Sequence, residues 1–134
     1  MPEAPQARRK ILLVLHAREP EAGVLATARS MMERLEAEVE ILMRSEVMYH
    51  STPVDRFLEE VTSSGGNGRL LYRPDLSWDA VVRHAGALSS VVCIVVESLE
   101  KWGLKNDRAS RRPPPWSNRL PCPLVVAGAA GNHS

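Results

Sequence analysis

The segment VVCIVV (residues 91–96) is the most apolar stretch of this 134-residue chain. A second continuous apolar run, ILLVL (11–15), has a similar, strand-like length. Apolar runs without polar alternation are typical of parallel strands that are covered by helices on both faces. We therefore expect two buried strands, with VVCIVV as the central one, in a sheet that carries helices on each side.

Shorter strand candidates lie between these two runs and after the second one. They are the alternating segment with Val39, Ile41 and Met43, the short segment 69–72, and the final run LVVA (124–127). Amphipathic stretches separate them, so the order is β-α-β-α-β-α-β-x-β, where x is the stretch 97–122. Alternating strands and helices with right-handed crossovers predict a single-domain three-layer α/β/α fold. We expect a five-stranded parallel sheet in the order 3-2-1-4-5.

The helix boundaries can be predicted from capping residues. The first helix should begin at Pro20, because the N–H that proline lacks has no partner at a first helical position, and it should run to about residue 37. Thr52 marks the start of the second helix, and Ser77 or Asp75 can cap the third.

The composition is that of an ordinary globular protein. Hydrophobic residues make up 44% and charged residues 25%, and the net charge of +1 argues against nucleic-acid binding. No apolar run is long enough to cross a bilayer, and no secretory signal is visible, so we expect a cytoplasmic protein without a membrane partner. Cys93 and Cys122 form no CxxC pair and the histidines lack metal-ligand spacing, so we expect reduced cysteines and no metal site.

The ends of the chain differ from its middle. Residues 1–8 contain two prolines and no apolar period, which predicts a flexible N-terminal arm. The folded domain should span 9–128, and a small polar tail, 129–134, should follow it.

Several of these features resemble the universal stress protein (UspA-like) family. The similarity lies in the order of the elements, the opening ILLVLH (11–16), the VVCIVV strand and the ending LPCPLVVAG (120–128). The clearest match is the closing Cys-Pro-hydrophobic strand, and the resemblance covers about residues 9–128. It implies the adenine nucleotide alpha hydrolase-like fold class, with the strand order given above.

The nucleotide-binding members of that family carry a phosphate-cradling motif after the fourth strand. It reads Gly, two residues, Gly, nine residues, Gly, then Ser or Thr, and its glycines let backbone N–H groups approach the phosphates. In a gap-free alignment, the glycine positions fall on Glu97, Glu100 and Ser110, and the hydroxyl position falls on Arg111. Carboxylates at two of these positions would repel a triphosphate and fill the space that it needs.

The end of the first strand also departs from the family pattern. The Asp that usually helps to hold the nucleotide is replaced by His16, and the nearby Ser by Arg18. We therefore expect no ATP binding of the usual kind and no cofactor. The candidate residues of the altered ligand cleft are His16, Arg18, Glu97, Glu100, Ser110 and Arg111. No catalytic constellation is recognisable, so we expect a protein that is not an enzyme.

A basic, proline-rich stretch replaces the expected fourth helix. Residues 101–119 contain six basic residues and one acid, a local charge of +5, which leaves about −4 for the rest of the chain. Three consecutive prolines, Pro113–Pro115, cannot lie inside a helix, so we expect an irregular segment between about residues 105 and 120. It is either a solvated variable loop or a docking segment for a protein partner or an anion.

Two classes of function remain open. The leading interpretation is a stress-response or regulatory domain that acts through dimerisation and protein contacts. The alternative is a binder of a small anion or nucleotide-like ligand, in which Arg18 and Arg111 meet the anion. A flavodoxin-like carrier is disfavoured, because HAREPEAG (16–23) lacks a hydroxyl- and glycine-rich phosphate loop, and a receiver domain would need acids where His16 stands.

The last strand predicts the mode of dimerisation. Its residues, Leu124, Val125, Val126 and Ala127, carry no charge, and an apolar edge strand with free N–H and C=O groups invites pairing. The resemblance implies the same, since the family commonly dimerises through this strand. The alternative is that PPPW (113–116) folds over the edge and keeps the protein monomeric.

Overall fold

The computed structural model describes residues 9–16, 20, 22–44, 52–88, 90–104 and 120–127. The helices and strands are β1 (Lys10–Leu15), α1 (Ala22–Leu35), β2 (Glu38–Met43), α2 (Thr52–Ser63), β3 (Gly68–Tyr72), α3 (Trp78–Ala87), β4 (Val91–Val96) and β5 (Leu124–Val126), with a 3₁₀ turn (Glu100–Trp102) after β4. The predicted arm, the tail, and the predicted irregular segment from 105 to 119 lie outside the described residues.

The five strands form one parallel sheet in the order β3-β2-β1-β4-β5, which confirms the predicted topology. The expectation that VVCIVV is the central strand was wrong, because β1 occupies the centre and β4 lies between β1 and β5. Both strands have a neighbour on each side and helices or turns on each face. Their apolar content is therefore similar and does not reveal which of them is central.

Helices cover the sheet on both faces. Ile11 and Leu13 of β1 pack in the core with α1 and α2, whereas Leu12 and Val14 pack with α3 on the other face. All four side chains are fully buried. Successive strand residues point to opposite faces, so a strand covered on both sides must be apolar at every position.

The boundaries of the helices agree with the sequence only in part. Of the two predicted caps, Ser77 and Asp75, it is Ser77 that caps α3, since its side chain accepts a hydrogen bond of 3.2 Å from the N–H of Ala80. Pro20 is not the first helical residue, because α1 begins at Ala22. α1 ends at Leu35 because Glu36 adopts a left-handed conformation with φ of 51°, which an α-helix cannot continue through.

The last strand is shorter than predicted. It ends at Val126, and Ala127 follows it as a buried residue. No helix in the described ranges is long and apolar enough to span a membrane.

Candidate functional site

The candidate site lies where the chain stops adding strands on one side of β1 and begins to add them on the other. From β1 the chain passes to β2 on one side, whereas from β4 it passes to β5 on the other, and β1 and β4 are neighbours. In open α/β sheets, ligands bind in the crevice beyond the carboxyl ends of two such strands. His16 directly follows β1 and Glu97 directly follows β4. The fold therefore brings these two candidate residues together in what we call the switch-point crevice.

Glu97 is the buried acid at the switch-point crevice. It is only 1% exposed, and its Oε1 accepts a hydrogen bond of 3.4 Å from the backbone N–H of His16. A buried carboxylate requires such donors, because it has left its water shell. Backbone N–H groups are also the donors that a bound phosphate would use. The N–H at the end of β1 is thus already engaged by an anion of the chain itself.

The imidazole of His16 forms one side of the crevice. Its Nε2 lies 2.9 Å from Nη1 of Arg44, the first residue after β2. A guanidinium only donates hydrogen bonds, so Nε2 accepts and the ring carries its proton on Nδ1. The ring also meets that of Trp102 edge-on, with centroids 5.1 Å apart and an angle of 83°. This edge-to-face geometry is favourable for aromatic pairs.

The turn after β4 places Trp102 in this position. The Ser98 hydroxyl accepts a hydrogen bond of 3.2 Å from the N–H of Glu100, where the 3₁₀ turn begins. Gly103 ends the turn with φ of 72°, a conformation that glycine adopts without a steric penalty. Trp102 also contacts Trp78 of α3, with ring centroids 6.4 Å apart. The turn therefore places the Trp102 ring between His16 at the crevice and Trp78 of α3.

The six predicted cleft residues do not all meet in the described structure. His16 and Glu97 are in contact, and Glu100 lies on the exposed surface of the following turn. Arg18, Ser110 and Arg111 lie outside the described residues. The described site therefore consists of His16 and Glu97, joined by two residues that the sequence analysis did not select.

Those two residues are Arg44 and Trp102. Arg44 carries the same signal as His16, because it is the first residue after a buried strand of the same sheet. No pattern in the sequence indicates that Trp102 meets His16. That contact depends on how the chain turns after β4, which follows from Ser98 and Gly103 together.

A second polar cluster, which the sequence patterns did not indicate, lies between the sheet and α3. Glu40 of β2 is only 3% exposed, and its Oε2 is 2.5 Å from Nε2 of His84 on α3. Lys10 of β1 places its Nζ 3.9 Å from the other carboxylate oxygen. We call these residues the Glu40 cluster. The cluster joins β1, β2 and α3. Within the described part of the chain, no group of three or more His, Cys, Asp or Glu side chains has an arrangement that could hold a metal.

A groove of about 850 Å³ lies at the opposite edge of the sheet, away from the switch-point crevice. Charges of both signs line it, including Arg9, Arg29, Glu33 and Glu38. Nη1 of Arg29 has no hydrogen-bond partner within the described ranges, but the atom is sealed from solvent. A ligand in the groove would not reach it without moving the side chain. The groove is large enough for a ligand, but its residues select none, and we assign no site to it.

Both cysteines are free thiols, and burial raises the pKa of each. Burial, reinforced by the neighbouring Cys122, raises the pKa of Cys93 to about 11, and burial also raises the pKa of Cys122. The thiolate is the reactive form. At neutral pH only roughly one Cys93 in ten thousand is ionised, because the pH lies about four units below the pKa.

We expect native protein to react with a thiol reagent slowly at neutral pH. Since the pKa of Cys93 lies about two units above its ordinary value, the folded thiol should react about 100-fold more slowly than the unfolded one. The rate should rise with pH up to about 11. Ellman titration of Cys122→Ser, with and without denaturant, measures Cys93 alone and keeps burial, the larger cause of its raised pKa. Equal rates in the native and denatured protein would contradict this.

Comparisons with known proteins show likeness at the level of the fold. No protein-family model matches the sequence, and no curated protein matches it. The chain is similar to the universal stress protein from Archaeoglobus fulgidus, with 13% identity, a TM-score of 0.53, and coverage of 88% of this chain and 92% of that one. A structure of the universal stress protein from that organism in complex with dAMP matches with 12% identity and a TM-score of 0.51, covering 90% and 98% of the two chains. The chain therefore has the fold of the universal stress proteins.

Proposed function

We propose that this chain is a non-enzymatic regulatory or scaffold domain, similar to the universal stress proteins, that acts through a homodimer and through protein contacts. It does not bind ATP in the usual way. The observation that supports this proposal is the position of the Glu97 carboxylate, which is buried in the switch-point crevice and bonded to the N–H of His16.

Both the charge and the volume of the Glu97 side chain disfavour a phosphate in the crevice. A phosphate that entered the crevice would meet the buried carboxylate of Glu97 as a like charge in surroundings that screen poorly. It would also have to displace that carboxylate from the N–H of His16. The side chain fills volume that a glycine would leave open. Each effect disfavours a nucleotide.

The dimer supports the same function by a separate argument. β5 is an edge strand, and its three residues are all half-buried and uncharged. Its outer edge has no strand partner among the described residues. Pairing with a second copy would satisfy those backbone groups. A domain without a nucleotide can still act on other proteins through such an assembly.

A thermal-shift screen against ATP, dAMP, phosphate and sulfate tests the proposal. A ligand at 100 times its dissociation constant stabilises a protein by about 2.7 kcal/mol, which corresponds to a rise in Tm of about 10 °C for a domain of this size. We expect ATP and dAMP, with or without Mg²⁺, to change Tm by less than about 1 °C. A rise with phosphate or sulfate alone would favour the alternative of an altered anion site, and a rise with ATP would contradict the proposal.

A further inference from the structure

Three neighbouring strands end in a row of basic residues. Leu15 of β1 is in register with Met43 of β2, which is in register with Tyr72 of β3. The next residues along the chain are His16, Arg44 and Arg73, which we call the basic edge. Since neighbouring strands lie about 4.8 Å apart, their backbones span roughly 10 Å along the carboxyl edge of the sheet.

Backbone hydrogen bonds hold this row in place. The N–H of Arg44 donates to the carbonyl of Leu15, and the N–H of Arg73 donates to the carbonyl of Met43, both at 2.9 Å. The ladder therefore extends one residue beyond each strand. As a result, the backbones of the two arginines are held by the sheet.

The side chain of Arg44 is held as well. Its Nη1 donates to Nε2 of His16, whose ring rests against Trp102 and whose N–H is bonded to the buried Glu97. A guanidinium has five N–H donors, so one bond to His16 orients the group and leaves the others for a ligand. Because the Arg44 side chain is already oriented, it loses less conformational entropy when a ligand binds.

Arg73 offers a second guanidinium. It is exposed, and within the described part of the chain its side chain forms no hydrogen bond or ion pair. Asp75, two residues on, is exposed and forms no ion pair with it there. Both arginine forks therefore remain available to carboxylates, which they can bind in a bidentate manner.

The charges along the edge are separated. The acids, Glu97 and Glu100, follow β4, whereas the arginines follow β2 and β3 on the far side of β1. Among these described side chains, the arginines place positive charge at the ends of β2 and β3, where an acidic ligand would be attracted.

We infer that the basic edge is a docking surface for an acidic, extended segment of a partner protein. Arg44 and Arg73 are both exposed on an open edge, where a small ligand would gain little burial. Arg44 and Arg73 follow neighbouring strands, about 4.8 Å apart, so an extended segment can meet both with carboxylates two residues apart, which lie on one face of the segment and are separated by about 6.6 Å. The inference rests on the proposed function, because it names a surface for the protein contacts.

Fluorescence anisotropy with a labelled peptide of repeating Glu-Ser units tests this inference. We expect saturable binding to the wild-type protein that weakens as salt is added. The variant Arg44→Ala/Arg73→Ala should bind about tenfold more weakly, which corresponds to about 0.7 kcal/mol for each exposed pair. The matched control is Arg56→Ala/Arg83→Ala, which removes the same charge from exposed positions on α2 and α3. It should bind like the wild type.

The outcomes separate the inference from the proposed function. Equal binding by the two double variants, or no salt-sensitive binding by the wild type, would overturn the basic edge as a docking surface. ATP binding is measured separately by the thermal-shift screen, which does not depend on the peptide. If neither the peptide nor ATP binds, only the docking surface is contradicted. Micromolar ATP binding contradicts the proposed function, whether or not the peptide binds.

Discussion

Replacing His84 by alanine should lower the free energy of unfolding by about 3 kcal/mol. The substitution removes the group that lies 2.5 Å from Oε2 of Glu40 and leaves a carboxylate that is 3% exposed. Lys10, at 3.9 Å, stays as a partial partner, so the loss should fall at the lower end of the range for a broken buried pair. Urea unfolding, followed by circular dichroism, measures it.

Two further variants make this result specific to the pair. Arg83→Ala removes an exposed side chain one residue away on the same helix, and it should cost less than about 0.5 kcal/mol. Glu40→Met/His84→Leu replaces both partners by apolar groups, and it should recover most of the stability that His84→Ala loses. If His84→Ala costs no more than Arg83→Ala, the Glu40 cluster does not contribute to the attachment of α3.

Replacing Val125 by lysine should turn a homodimer into a monomer. In a two-fold contact each β5 faces its own copy, so one substitution brings two positive charges together. Val125 lies at the middle of the three-residue strand and pairs with Val95 on its inner side. Like charges that meet in an interface cost several kcal/mol, so the dimer dissociation constant should rise at least about 100-fold.

Light scattering of the wild type and of Val125→Lys, over a range of concentrations, makes this measurement. Ala26→Lys adds the same charge at an exposed position on α1 and should keep the mass of the dimer. Circular dichroism should show that both variants are folded. Equal monomer masses for the wild type and Val125→Lys, independent of salt and concentration, would contradict the dimer.

The sheet could be predicted from the sequence because its signals are local and repeated. ILLVL (11–15) and VVCIVV (91–96) are apolar at every position, as a strand covered on both faces requires. Right-handed crossovers then leave few ways to order five strands. The ends of helices depend on single residues, which is why the sequence left Ser77 and Asp75 open as caps of α3 and gave the wrong start for α1.

The Glu40 cluster could not be predicted in the same way. The alternation of Val39, Ile41 and Met43 identifies one face of β2, and Glu40 then belongs to the other face. A sequence pattern does not tell whether a glutamate on that face meets water or a histidine from a helix 44 residues later. Only the packing of α3 on the sheet brings His84 to that position.

The switch-point crevice was predictable in part. The topology places the residues after β1 and β4 side by side, so the meeting of His16 and Glu97 follows from the strand order. The burial of the Glu97 carboxylate does not follow from it, since a glutamate after a strand more often extends into solvent.

Titration of ATP into the wild-type protein by isothermal calorimetry tests the central claim most directly. That claim is that the Glu97 carboxylate in the switch-point crevice takes the place and the N–H donor that a phosphate would need. The predicted result is no saturable heat at any ATP concentration up to about the millimolar range, with or without Mg²⁺. A saturable isotherm with a micromolar dissociation constant would contradict it.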